Sequence, residues 1–180
     1  GLNKEEYKIK IYQSVDKIKG NIESAINELS PSSINLLGKI ALLNNQSFSK
    51  QLLSIISDNL SNIDDDIFQL SKFVLISCTE IDENNAVFEM HDIIAQKVLE
   101  INGDSKNQAY LEDIITKLTK ALPATMHTGH IFRNAKTIND NLKIISNNHQ
   151  KYQLNVNKLL PLYSSLLTNY INTLQYSEAE

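Results

Sequence analysis

Cysteine, glycine and arginine are all scarce in this chain, and each scarcity removes a class of function. One cysteine, Cys78, in 180 residues cannot close an internal disulfide, which suits a reducing compartment. The five glycines, Gly1, Gly20, Gly38, Gly103 and Gly129, are too dispersed for a phosphate-cradling loop, and no Gly-x-x-x-x-Gly-Lys-Ser/Thr stretch occurs. Arg133 is the single arginine among 17 basic residues and the net charge is -4, whereas nucleic-acid surfaces present a basic face with arginines for bidentate contacts. No apolar run approaches the roughly 20 residues needed to cross a bilayer, and the N-terminus has no apolar signal region. Cytoplasmic localisation with no membrane or nucleic-acid partner is therefore expected. Nucleophile elbow, zinc-ligand spacing and catalytic dyad are missing too, so the expectation is a non-enzyme without catalytic residues, metal or cofactor of its own. A leading Gly1 in place of an initiator Met reads as an excised fragment.

What is present is a folded composition, 42% hydrophobic and 21% charged, with helical periodicity along most of its length. Ile11, Val15, Ile18, Ile22, Ile26 and Leu29 recur in steps of three and four, predicting an amphipathic helix interrupted near Gly20. Ser30-Pro31 pairs a capping Ser with Pro at the first helical position, predicting a helix with Ile34, Leu37, Ile40 and Ala41 inward. A second helix should start at Ser47 with Leu52, Leu53 and Ile56 buried. A third, capped by Asn62, opens with Asp64, Asp65 and Asp66 and turns Ile67, Leu70 and Phe73 inward. Val74 to Ile81 and Ala86 to Met90 read as two strands joined by the polar turn Asp82-Glu83-Asn84-Asn85.

Period two ends and period 3.6 begins at His91 and Asp92: Phe88 and Met90 alternate, whereas Ile94, Val98 and Ile101 share a helix face. Asp92 is expected to cap that helix. Three helices and a hairpin is the winged-helix order, but the three aspartates would put the wrong sign before DNA phosphates. A DNA-binding regulator is thus the least favoured class.

The order and spacing of Leu29-Ser30-Pro31-Ser32-Ser33, Ile34-Asn35-Leu36-Leu37-Gly38-Lys39-Ile40-Ala41, Leu70-Ser71-Lys72-Phe73-Val74-Leu75-Ile76 and Met90-His91-Asp92 resemble the winged-helix segment of NB-ARC and related STAND signalling ATPases. The resemblance implies that His91 contacts the β-phosphate of ADP held by a preceding nucleotide-binding domain of the same chain. It also implies that Met90 and Asp92 are structural members of the motif, and that ADP or ATP belongs to the parent protein, not the fragment.

Beyond Ile101, Asn102-Gly103-Asp104 punctuates, and Leu111, Ile114, Ile115, Leu118 and Leu122 mark a helix stopped by Pro123. Thr125 to Arg133 reads as a loop whose His127 and His130 fall short of a three-ligand metal set. Ile138, Leu142 and Ile145 mark another helix, broken by the polar Asn147 to Gln150. In the tail, Tyr163, Leu166, Tyr170, Tyr176 and Ala179 are spaced as in the opening of a tetratricopeptide repeat, which Asn157 would cap. Tyr163, Leu166 and Tyr170 are then expected to form an interaction face for further repeats and, through them, protein or peptide partners.

The expected architecture is mainly α. Residues 1–29 form an N-terminal helical segment, 30–101 a winged-helix domain, 102–158 a helical linker and 159–180 the start of a tetratricopeptide-like repeat. The expected role is regulatory, coupling nucleotide-dependent domain closure to a helical-repeat sensor. A stand-alone helical-repeat adaptor is the alternative.

Overall fold

A computed structural model describes residues 4–43, 46–59, 61–82, 85–121, 141–142 and 144–177. The expected loop with His127 and His130, and the side chains of Tyr170, Tyr176 and Ala179, lie outside the described residues. The protein is mainly helical with one small antiparallel sheet.

The first helix, α1 (Lys4–Asn27), is continuous through Gly20. The break expected there does not occur, because the roughly 1 kcal/mol helix penalty of a glycine is opposed by tertiary contacts on the same helix. Ile22 and Ile26 are buried, and Glu23 and Lys19 pair with Lys97 and Glu100 at 3.0 and 3.1 Å. Ser30 does cap α2 (Pro31–Ile40), its Oγ accepting from the Ser33 N–H at 3.2 Å. Leu36, Leu37 and Ile40 point into the core.

The two-residue strand β1 (Phe48–Ser49) precedes α3 (Lys50–Ile56), whose cap is Ser49 and not Ser47. Leu52, Leu53 and Ile56 are all fully buried, as the periodicity requires. Asn62 occupies the N-cap position of α4 (Ile63–Lys72), but no side-chain bond closes that cap. Strands β2 (Ser77–Asp82) and β3 (Asn85–Glu89) form the expected hairpin, with an irregularity between Cys78 and Glu80. β1 adds to the outer edge of β3, giving the order β1-β3-β2, and the Phe48 and Phe88 rings stack 6.2 Å apart.

Val74 to Ile76 is not strand. Val74 has φ +58° and closes α4: its N–H donates to the Ser71 carbonyl at 2.9 Å and that of Leu75 to the Leu70 carbonyl at 2.9 Å. This is the paired bond pattern of a Schellman helix end, with Val74 in the left-handed position.

The long helix α5 (Asp92–Ala121) is broken at Gly103, where φ is +70°. Asn107 repairs the break by donating from Nδ2 to the Leu99 carbonyl at 2.9 Å. Ala95 and Val98 face the core before the break, but Ile101 is exposed, contrary to the sequence pattern, because the chain changes direction two residues later. Tyr110, Leu111, Ile114, Ile115 and Leu118 after it join the same buried cluster as α2 and α3.

Residues 144–151 form α6, so Asn147 to Gln150 are helical and break nothing. Polarity there reflects bonding to a neighbour: Asn148 Nδ2 donates to the Leu42 carbonyl at 2.7 Å while Ile145 is buried. A 3-10 turn (Val156–Lys158), capped by Asn155, leads into α7 (Leu160–Ser177); Asn157, expected to cap that helix, lies inside the turn instead. Pro161 sits in the first turn, where its missing N–H costs little.

Candidate functional site

β3 ends and α5 begins within three residues, and the three point in different directions. Met90 is buried in the core; His91 and Asp92 are exposed. α5 begins at Asp92 itself, so the capping position belongs to His91. Its carbonyl accepts from the Ile94 and Ala95 N–H groups at 2.9 and 3.2 Å, and its Nδ1 accepts from the Ile93 N–H at 3.3 Å. The expectation that Asp92 is the cap is corrected accordingly. Its carboxylate lies in the first turn, favoured by the helix dipole, and accepts from Gln46 Nε2 at 3.1 Å.

That arrangement has a chemical consequence. An imidazole whose Nδ1 accepts a backbone N–H carries its neutral-state proton on Nε2. His91 thus offers a directed N–H donor, from an exposed residue, at a junction anchored by Met90 on one side and the Gln46–Asp92 bond on the other. A phosphate or carboxylate oxygen is a suitable acceptor.

A second polar cluster lies inside the protein. Lys39 on α2 is only 1% exposed, in contact with Asp58 Oδ2 at 2.8 Å, Asp113 Oδ2 at 2.5 Å and the Ile56 carbonyl at 3.0 Å. Lys117, one helical turn after Asp113, pairs with Asp58 and Asp113 and also donates to the Ile56 and Ser57 carbonyls at 3.0 and 2.9 Å. Two ammonium groups and two carboxylates thus close the C-terminal end of α3 against α2 and α5. Burial pushes the Asp58 carboxyl up, but hydrogen bonds from Lys117 and Lys39 and their charges outweigh it and hold the group below its ordinary 3.8. Burial likewise pushes Lys117 down, and the bonds to Asp58 and Asp113 more than offset that, holding it above its ordinary 10.5. Every cation faces an anion at contact distance, which suits a clamp.

A third cluster joins α2 to α4. Asp66 is buried, accepting from Ser32 Oγ at 2.6 Å and Ser33 Oγ at 2.8 Å, while Gln69 Oε1 accepts from the Ser30 N–H at 3.0 Å. Only Asp64 and Asp65 of the three aspartates are exposed, and Asp64 pairs with Lys50 at 2.6 Å.

In the tail, the expected face of Tyr163, Leu166 and Tyr170 divides. Leu166 is buried with Leu159 and Leu162, whereas Tyr163 is exposed with Leu160 and Leu167. The inward stripe is therefore 159-162-166 and the outward one 160-163-167.

The change of period marks the strand-to-helix junction at His91 in the sequence, but the Lys39 cluster was missed. Two signals were there: a lysine inside the apolar run Leu36 to Ala41, and the Asp113–Lys117 pair at i,i+4. Among the described residues, no group of three or more His, Cys, Asp and Glu is placed to hold a metal ion, and no helix is long and apolar enough to cross a membrane. No protein-family model, curated protein or solved structure matches the chain.

Proposed function

We propose that this chain is the winged-helix regulatory segment of a STAND-type signalling NTPase, in which His91 senses the nucleotide held by a neighbouring domain of the same protein. The observation that carries this reading is the His91 cap, which occupies Nδ1 and leaves Nε2–H as the ring's remaining donor on an exposed residue. The helix and strand order from α2 to β3, with β1 beside β3, supports the winged-helix reading. Contact of the donor with the β-phosphate of ADP would exist only when the two domains are docked, coupling nucleotide state to domain arrangement. The segment itself performs no catalysis in this account; ADP or ATP belongs to the nucleotide domain. The outward stripe Leu160, Tyr163 and Leu167 on α7 is where a following helical repeat would pack.

The stand-alone adaptor is the second reading, favoured by that same stripe. DNA binding is disfavoured by the exposed Asp64 and Asp65 at the start of α4.

His91 both caps and, in this proposal, senses, so alanine would confuse the two roles. His91→Asn separates them, since Asn is a good N-cap residue but lacks the outward imidazole donor. In the protein extended to include the nucleotide domain, His91→Asn should weaken ADP binding roughly ten- to a hundredfold, the loss of one hydrogen bond to a charged acceptor of about 1.5 to 3 kcal/mol. The melting temperature of the 180-residue chain should not change. Unaltered ADP affinity, or loss of affinity only together with loss of stability, would make His91 a cap alone.

A further inference from the structure

α5 is capped by a group that can take up a proton. The helix begins at Asp92, and the side chain that closes its first turn is the His91 imidazole, whose Nδ1 accepts from the Ile93 N–H at 3.3 Å. The lone pair that accepts this bond is the same one that binds a proton when imidazole becomes imidazolium. The ring can cap the helix or carry that proton, but not both. The caps of α2 and α3, Ser30 and Ser49, use hydroxyl oxygens, which accept a hydrogen bond in acid and base alike.

The surroundings favour departure of the charged ring. It would stand at the positive end of the α5 dipole, which opposes a cation. Carboxylates lie on both sides of it in the chain: Glu89 at the end of β3, accepting from Ser77 Oγ at 3.2 Å, and Asp92, accepting from Gln46 Nε2 at 3.1 Å. Both are exposed, as is His91, so the imidazolium has anions to turn to. The nearest lysines on the adjoining helices are engaged with other partners, Lys50 of α3 with Asp64 at 2.6 Å and Lys97 of α5 with Glu23 at 3.0 Å. On β2 the charged residues are Glu80 and Asp82.

We propose that His91 is a pH-operated cap: the neutral ring holds the first turn of α5, and the protonated ring swings off it, releasing the Ile93 N–H to water and turning toward Asp92 or Glu89. The proposal stands on the cap geometry and holds whether or not the chain meets a nucleotide.

The test is NMR of the 180-residue chain between about pH 8 and 5, which spans the titration of an imidazole and stays above the acid loss of the Asp58 ion pairs. At the alkaline end the His91 ring nitrogens should show the Nε2–H tautomer. As His91 titrates, the Ile93 amide proton should move upfield with the same midpoint. Its protection from solvent exchange, corrected for the intrinsic rate, should fall roughly two- to thirtyfold, the loss of one N-cap. Leu52, whose N–H donates to Ser49 Oγ at 3.2 Å, is the control and should keep its protection. In His91→Asn the Ile93 amide should stay protected throughout, and this variant, matched to the unaltered chain in urea at the alkaline end, should be the more stable of the two at the acid end. An Ile93 amide indifferent to His91 titration, the same response in His91→Asn, an Nδ1–H tautomer in the neutral ring, or urea midpoints of the two proteins that stay parallel across the window overturns the proposal.

Discussion

Replacing Lys39 separates packing from charge in the buried cluster. Its Nζ meets Asp58, Asp113 and the Ile56 carbonyl, and removing one partner of a buried ion pair ordinarily costs about 3–5 kcal/mol. Two observations lower that figure here. Lys117 already touches both carboxylates and the same Ile56 carbonyl, so none of the three is orphaned. The Asp58 and Asp113 side chains are also 51% and 37% exposed, which lets water take up part of the lost attraction. Lys39→Met keeps most of the volume and relieves the desolvation of an ammonium, so it should change stability by less than about 1.5 kcal/mol. Lys39→Ala adds a cavity under Leu36 and Ile40 and should cost about 2–4 kcal/mol. Lys117→Met should be similarly mild alone. Together with Lys39→Met, however, it leaves two carboxylates without a cation, and the double variant should exceed the sum of the singles by at least about 1.5 kcal/mol. Urea unfolding of the four proteins measures this. Additivity within about 0.5 kcal/mol, or a cost above about 3 kcal/mol for Lys39→Met alone, would refute the redundancy on which the reasoning rests.

The same cluster makes stability fall at both pH extremes. Asp58 is held below 3.8, so its contribution is present above that value and lost as pH falls through the folded value. Lys117 is held above 10.5, so its contribution is present below that value and lost as pH rises through the folded one. Because both groups are partly exposed, each limb should be below about 1 kcal/mol; Asp58→Asn should flatten the acid limb and Lys117→Met the alkaline limb of urea midpoints against pH. Gly38→Ala should destabilise by about 1–3 kcal/mol, since an added Cβ would lie 3.0 Å from Asn102 Nδ2 and even closer to the buried Tyr110 ring. A melting temperature unchanged by Gly38→Ala would show that the ring can move aside.

Where a signal was local, the chain could be read. Ser30-Pro31 set the start of α2, the 52-53-56 spacing set the buried side of α3, and the change of period near His91 set the end of the hairpin. The misreadings share a different cause. Val74, Leu75 and Ile76 have strand propensity, yet the chain uses them to close α4, where the bonds back to Ser71 and Leu70 decide the conformation. Asn147 to Gln150 look like a break because their polarity is visible and the Leu42 carbonyl that receives Asn148 is 106 residues away. β1 has only two residues, too few to show a period, and exists because the edge of β3 is there to pair with it.

The candidate site divides along the same line. That something happens at His91 is legible from its neighbours, but which residue caps depends on where α5 begins, and the hydrogen-bond geometry alone assigns the cap to His91 instead of Asp92. Gln46, which anchors the junction, stands 46 residues from its partner Asp92, and Lys39 reaches Asp58 across 19 residues. Periodicity marks Lys39 as facing inward but cannot say whether the charge awaits a ligand or already has its anions. Distance decides it: with two carboxylates within 2.8 Å and a second lysine holding both, the buried charge is matched inside the fold.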